Sequence, residues 1–148
     1  MLSRARRALD VALAAGVRVL LRVFFREVEV RGTRPLPRER PLVVVANHEN
    51  NLLDPLLVLA FSGAYPRFLA KSTLWSHPLV APLLILAGAL PVYRRQDEGA
   101  KLASNADTFA ASGRLLAAGG AVALFPEGTS HNQPHRLPLK TGAARIVL

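Results

Sequence analysis

The chain contains no cysteine. Disulfides, thiolate metal sites and a cysteine nucleophile are therefore excluded, and redox chemistry says nothing of the compartment. Negative charge is scarce too: ten Asp and Glu face nineteen Lys and Arg, for a net charge of +9. A partner attracted by the overall field is thus an anion, either phospholipid headgroups or nucleic acid. Aromatics make up only 6% of the residues. In the first 40 residues, where the basic excess gathers, Phe24 and Phe25 are the only ones, and they lie on or near the apolar side. Nucleic-acid binding asks for base-reading side chains among the arginines, so that class is disfavoured. Internal repeats and low-complexity segments are also missing. At 148 residues the chain is one domain, able to bury roughly 68–70% of its unfolded surface.

The charge is unevenly placed. Residues 1–40 hold ten arginines against Asp10, Glu27, Glu29 and Glu39, leaving +3 for the other 108 residues. At roughly 100° per residue, Arg4, Arg7, Arg18, Arg22 and Arg26 form one stripe, with Leu9, Leu13, Leu20, Val23 and Phe24 opposite. This pattern predicts a helix over residues 3–26 lying in a membrane interface. Spanning is disfavoured, since Arg18 and Arg22 at the bilayer centre would each cost roughly 2.5–3.5 kcal/mol. A signal peptide is disfavoured because Arg18 breaks the apolar core and no clean cleavage site follows. The competing expectation is a helix that packs its apolar face on its own domain.

Residues 25–30, FREVEV, alternate apolar and charged positions as a half-exposed strand would. Gly32, Pro35 and Pro37 mark a loop. Buried strands are predicted at Leu42 to Ala46 and at Ala121 to Phe125, from unbroken apolar runs. Further strands are expected at residues 67–71 and 88–93. Helices are expected over residues 56–61, 78–87 and 98–118, and one starting near Thr141. The segment 78–87 is apolar nearly all round, so it is either deeply buried or faces lipid. Polar residues follow the strands at His48, Lys71, Arg94 and Glu127, the rhythm of a parallel α/β sheet.

The organising stretch is residues 41–55, PLVVVANHENNLLDP. The strand stops at Asn47-His48, and the carboxyl end of a buried strand is where open α/β sheets place their chemistry. Asp54 enters the next helix close enough for its carboxylate to reach the imidazole of His48. Such a pair supplies a general base for a hydroxyl acceptor attacking an acyl carbon, with the carboxylate holding the tautomer. Asp54 before Pro55 equally suits a helix N-cap with proline at the first helical position. Lys71, Arg94 and Arg95 would make an anion site, since guanidinium matches phosphate geometry; each alone also reads as solvated strand-end charge. Glu127-Gly128 puts a carboxylate and a bare backbone at the same rim, or simply a turn. A metal set of His48, Asp54, Glu127 and His131 is disfavoured, because Pro, Gly and Ser around the last two spoil the helical face their spacing needs.

These residues resemble the glycerolipid acyltransferases, the group of lysophosphatidic acid and glycerol-3-phosphate acyltransferases. NHENNLLDP looks like their His and Asp motif, GALPVYRR like the second motif, FPEGTS like the third, and LAKSTL like the segment that lends a lysine to the phosphate pocket. The order matches, from about Val23 to the end. The resemblance implies a mixed, largely parallel α/β sheet flanked by helices, with an N-terminal amphipathic helix. It divides the chain into a membrane-interface helix at 1–26 and an acyltransferase domain at 27–148 whose C-terminal part, with the fourth motif, is missing. By resemblance the catalytic residues are His48 and Asp54, and the substrate-binding residues are Asn47, Lys71, Arg94, Arg95, Glu127, Gly128 and Thr129. It implies no metal and no cofactor, with acyl-CoA or acyl-ACP as co-substrate. The acceptor would be a glycerol phosphate or lysophospholipid, at the cytoplasmic face of a membrane. Two features depart from the pattern: five residues separate His48 from Asp54 where four are usual, and Ser130 stands where many members have Arg. The alternative function is a non-catalytic lipid or acyl-carrier binding module.

Overall fold

A computed structural model describes residues 3–32, 36, 40–93, 103–129, 135 and 137–147. Helix α1, Arg4–Phe24, opens where the Ser3 hydroxyl accepts from the Arg6 N–H at 3.2 Å. Strand β1, Leu42–Val45, leads through α2, Leu53–Phe61, to β2, Arg67–Lys71. A 3-10 turn, Ser72–Ser76, and α3, Ala81–Ala87, precede β3, Leu90–Val92. Then come α4, Ala103–Ala117, β4, Ala121–Leu124, and α5, Gly142–Val147.

The sheet order is β1-β4-β2-β3 and every pairing is parallel. The crossover from β1 to β2 runs one way across the sheet and that from β3 to β4 runs back. Right-handed connections in opposite directions put α2 and α3 on one face and α4 on the other. Accordingly α1 packs on α2, while α4 packs on β3, β4 and α5. All strands deliver their carboxyl ends to one rim. Interior strand β4 is buried throughout; β1, at the edge of the described sheet, is only half-buried, with Val45 50% exposed. The apolar run at β1 therefore does not mean cover on both faces.

Residues 25–30 form no strand. The α1 helix closes with the Phe25 N–H on the Leu21 carbonyl, and Glu29 and Arg31 pair with each other in solvent. Alternation makes a strand only where a neighbour's edge offers hydrogen bonds, and no described strand pairs with this segment. Nor is the segment 78–87 deeply buried: Leu79, Leu83 and Ile85 are each more than 60% exposed.

Helix α1 faces its own domain through Asp10, Ala14 and Leu21, and Arg18 turns inward to donate to the Ala60 carbonyl at 2.7 Å. Val19, Leu20, Val23 and Phe24 are left exposed beside Arg4, Arg7, Arg22 and Arg26. The seam is held by a buried ion pair. Both Arg67 terminal nitrogens reach the two Asp10 oxygens at 2.7 Å, and Arg67 also donates to the Ala87 carbonyl at 3.0 Å. Arg6 adds a contact to Asp10 at 3.1 Å. Gly88 ends α3 with φ of 69°, and a Cβ there would come within 3.0 Å of Arg6 Nη2 and 3.1 Å of Arg67 Cδ. Glycine is needed both for the left-handed turn and for the room.

Asp10→Leu leaves the Arg67 charge buried without its carboxylate and should destabilise the fold by about 3–5 kcal/mol, whereas Arg67→Met leaves Asp10 still paired with Arg6 and should cost less. The double substitution should recover much of that loss, as read by urea denaturation.

Candidate active site

The polypeptide leaves β1 at the rim and turns through residues 46–52 into α2. Leu52 makes no side-chain cap; instead Asn50 Oδ1 accepts from the Leu52 and Leu53 N–H groups, at 3.0 and 2.9 Å. In return the Asp54 carboxylate accepts from the Asn50 N–H at 2.8 Å. The Asn50 side chain thus takes the N–H groups that open the helix while Asp54 takes the Asn50 N–H, much as in a capping box. Asp54 is thus inside the first turn of α2, not at its N-cap, and Pro55 follows it.

The same Asp54 oxygen lies 3.1 Å from His48 Nδ1. An ionised carboxylate only accepts, so Nδ1 carries the proton and Nε2 keeps the basic lone pair. The imidazole is stacked on Phe125, ring centroids 4.0 Å apart at 11°, and Phe125 in turn on Phe68 at 6.3 Å. The His48 side chain remains 13% exposed and that of Asp54 21%. The imidazole is therefore held on one nitrogen and one face and reached from the rim.

Glu127, only 2% exposed, follows β4. Its Oε1 accepts from the His48 N–H and its Oε2 from the Leu137 N–H, both at 3.2 Å. It ties the His48 loop to the segment beyond β4, so its position supports the dyad from behind. Gly128 has φ of 70°. Lys71 ends β2, in register with Val92 of β3. The β2–β4 register, carried beyond Phe68 and Ala123, sets Lys71 level with Pro126. His48, Glu127 and Lys71 thus stand on adjacent strands' carboxyl ends. Thr129 follows in the same loop, and the exposed Asn47 amide donates to Glu49 at 3.0 Å. Arg94, Arg95, Ser130 and His131 lie outside the described residues. Among the described residues no three His, Asp or Glu side chains converge as metal ligands.

Two residues of the site carry no mark of it in the sequence. Asn50 stands unremarked between His48 and Asp54, although Asn is a capping type. Phe125 reads as the last residue of a buried strand, and its stacking on His48 depends on the strand order.

An Acyltransferase family model matches residues 27–148. The chain belongs to the acyltransferase family. A 1-acyl-sn-glycerol-3-phosphate acyltransferase of Brassica napus, BAT2, is 28% identical over 83% of this chain and 34% of its own length. A lyso-ornithine lipid O-acyltransferase of Rhizobium meliloti is 37% identical over 77% of this chain and 36% of its own. The crystal structure of the 1-acyl-sn-glycerophosphate acyltransferase PlsC from Thermotoga maritima superposes with a TM-score of 0.75 at 26% identity. That match covers 99% of this acyltransferase chain and 56% of PlsC. The chain thus spans about a third to a half of the length of these relatives.

Substituting Glu127→Gln should leave one of two backbone N–H groups, at His48 or Leu137, without an acceptor, at about 1–3 kcal/mol. Faster hydrogen exchange at one of these two amides, with the other still protected, is the expected result.

Proposed function

We propose that this chain is an O-acyltransferase domain that moves a fatty acyl group from acyl-CoA or acyl-ACP to the hydroxyl of a glycerol phosphate or lysophospholipid. The observation that carries the reading is the His48 Nδ1 to Asp54 Oδ2 contact at 3.1 Å at the rim of the sheet. Nε2 takes the proton of the acceptor hydroxyl as its oxygen attacks the thioester carbonyl. Asp54 stabilises the imidazolium that forms. The tetrahedral intermediate collapses with loss of the thiolate, and the imidazolium returns its proton to that sulfur. Lys71 at the neighbouring strand end, with Arg94 and Arg95, holds the acceptor phosphate. Gly128 and Thr129 shape the site beside it, and Asn47 borders it.

The membrane reading rests on α1. Its exposed residues combine Val19, Leu20, Val23 and Phe24 with Arg4, Arg7 and Arg22, and Arg26 follows just past its end, as a helix in an anionic interface requires. The exposed Leu79, Leu83 and Ile85 near α3 suit the same surface. No helix among the described residues is long and apolar enough to cross a membrane. In this reading the enzyme lies on a membrane surface, at its cytoplasmic face.

His48→Ala should lower acceptor-dependent thioester consumption by about 10²–10⁴-fold while vesicle binding is unchanged; near-normal turnover would end the mechanism. Replacing Val23 and Phe24 with Asp should abolish co-sedimentation with vesicles rich in phosphatidylglycerol. The same double variant should still melt as the parent does, since both side chains are exposed.

A further inference from the structure

The Lys140 N–H donates to the Pro126 carbonyl at 2.8 Å, which lays the segment before α5 against the loop after β4. The side chain then crosses Gly128: a Cβ there would fall 2.6 Å from Lys140 Nζ and 2.9 Å from its Cδ. The bare backbone at 128 is thus occupied by a lysine. Its neighbour Glu127 is the carboxylate that accepts from the His48 N–H. The ammonium therefore sits one residue along the chain from the group that positions the imidazole.

Lys140 is exposed, and its ammonium makes no hydrogen bond or ion pair with a described residue. The Glu127 carboxylate is turned inward onto the His48 and Leu137 N–H groups. A cation pinned at its base, laid over glycine and left open at a catalytic rim is placed for an anion of the substrate. We propose that Lys140 is a further acceptor-binding residue, contacting the phosphate of the acceptor and selecting phosphate-bearing acceptors over neutral ones. This rests on the acyl-transfer reading of the site. Lys71 reaches the rim from β2, and Lys140 would meet the phosphate from the segment before α5, beside Gly128.

Lys140→Met keeps the aliphatic chain over Gly128 and removes the charge, and Lys140→Arg restores the charge. With lysophosphatidic acid as acceptor, Lys140→Met should raise KM about tenfold or more, with the loss falling on KM and not on kcat. Lys140→Arg should recover most of it. With a monoacylglycerol acceptor, which has no phosphate, the variant should match the parent. Calorimetric titration of lysophosphatidic acid into the full-length protein reads the same contact without turnover and should show the same weakening. Equal lysophosphatidic acid affinity in parent and Lys140→Met overturns the proposal, as does a change in the KM of the acyl-CoA donor alone. A parent that binds lysophosphatidic acid through Lys140 but transfers no acyl group would sustain this inference and count against the proposed activity instead.

Discussion

The Glu127 carboxylate is the constraint on which the site depends. A carboxylate so deeply buried must have its charge met by donors, and Glu127 meets it with the backbone N–H groups of His48 and Leu137. Those donors come from 79 residues upstream and ten downstream, so one side chain fastens three separate pieces of the rim. The loop carrying His48 is thereby fixed to the end of the most buried strand. The imidazole then lands on Phe125 and within reach of Asp54. Such preorganisation matters because a general base is effective only when its lone pair is already aimed.

A second buried charge performs the corresponding task on the opposite end of β2. Asp10 and Arg67 join α1 to the sheet, and Arg67 also satisfies the last carbonyl of α3. Helix α1 is not merely laid on the domain through an apolar face; its docking side is small and ionic, with Ala14 and Leu21 filling the rest. That choice leaves the large apolar side chains to the outside. An amphipathic helix packed the other way would have hidden Val23 and Phe24 and presented the acid. Arg67 and Lys71 begin and end the same five-residue strand, so helix α1 and the rim that carries Lys71 are linked through one short element.

Local sequence was informative wherever structure is local. β2 falls at residues 67–71 as its pattern implies, and β1 and β4 each end one residue before the expected limit. The helix from Arg4 to Phe24 follows from its cap and its periodicity. Where pairing or burial had to be known, pattern was insufficient. FREVEV has the alternation of a strand and forms none, and the valine run of β1 is that of a covered strand although β1 stands at an edge.

The sequence by itself determined the parallel α/β succession, the concentration of polar groups after the strands, the His48 and Asp54 pair and the family. Each of these is carried by neighbours in the chain, through apolar periodicity, turn residues and short motifs. Only the tertiary structure decided that Glu127 backs His48, that Asp10 meets Arg67, which face of α1 is left to the outside, and that Lys140 lies over Gly128. The physical reason is that strand order and crossover direction bring these residues together across tens of positions, and no local pattern encodes which distant backbone will supply a buried charge with its partner.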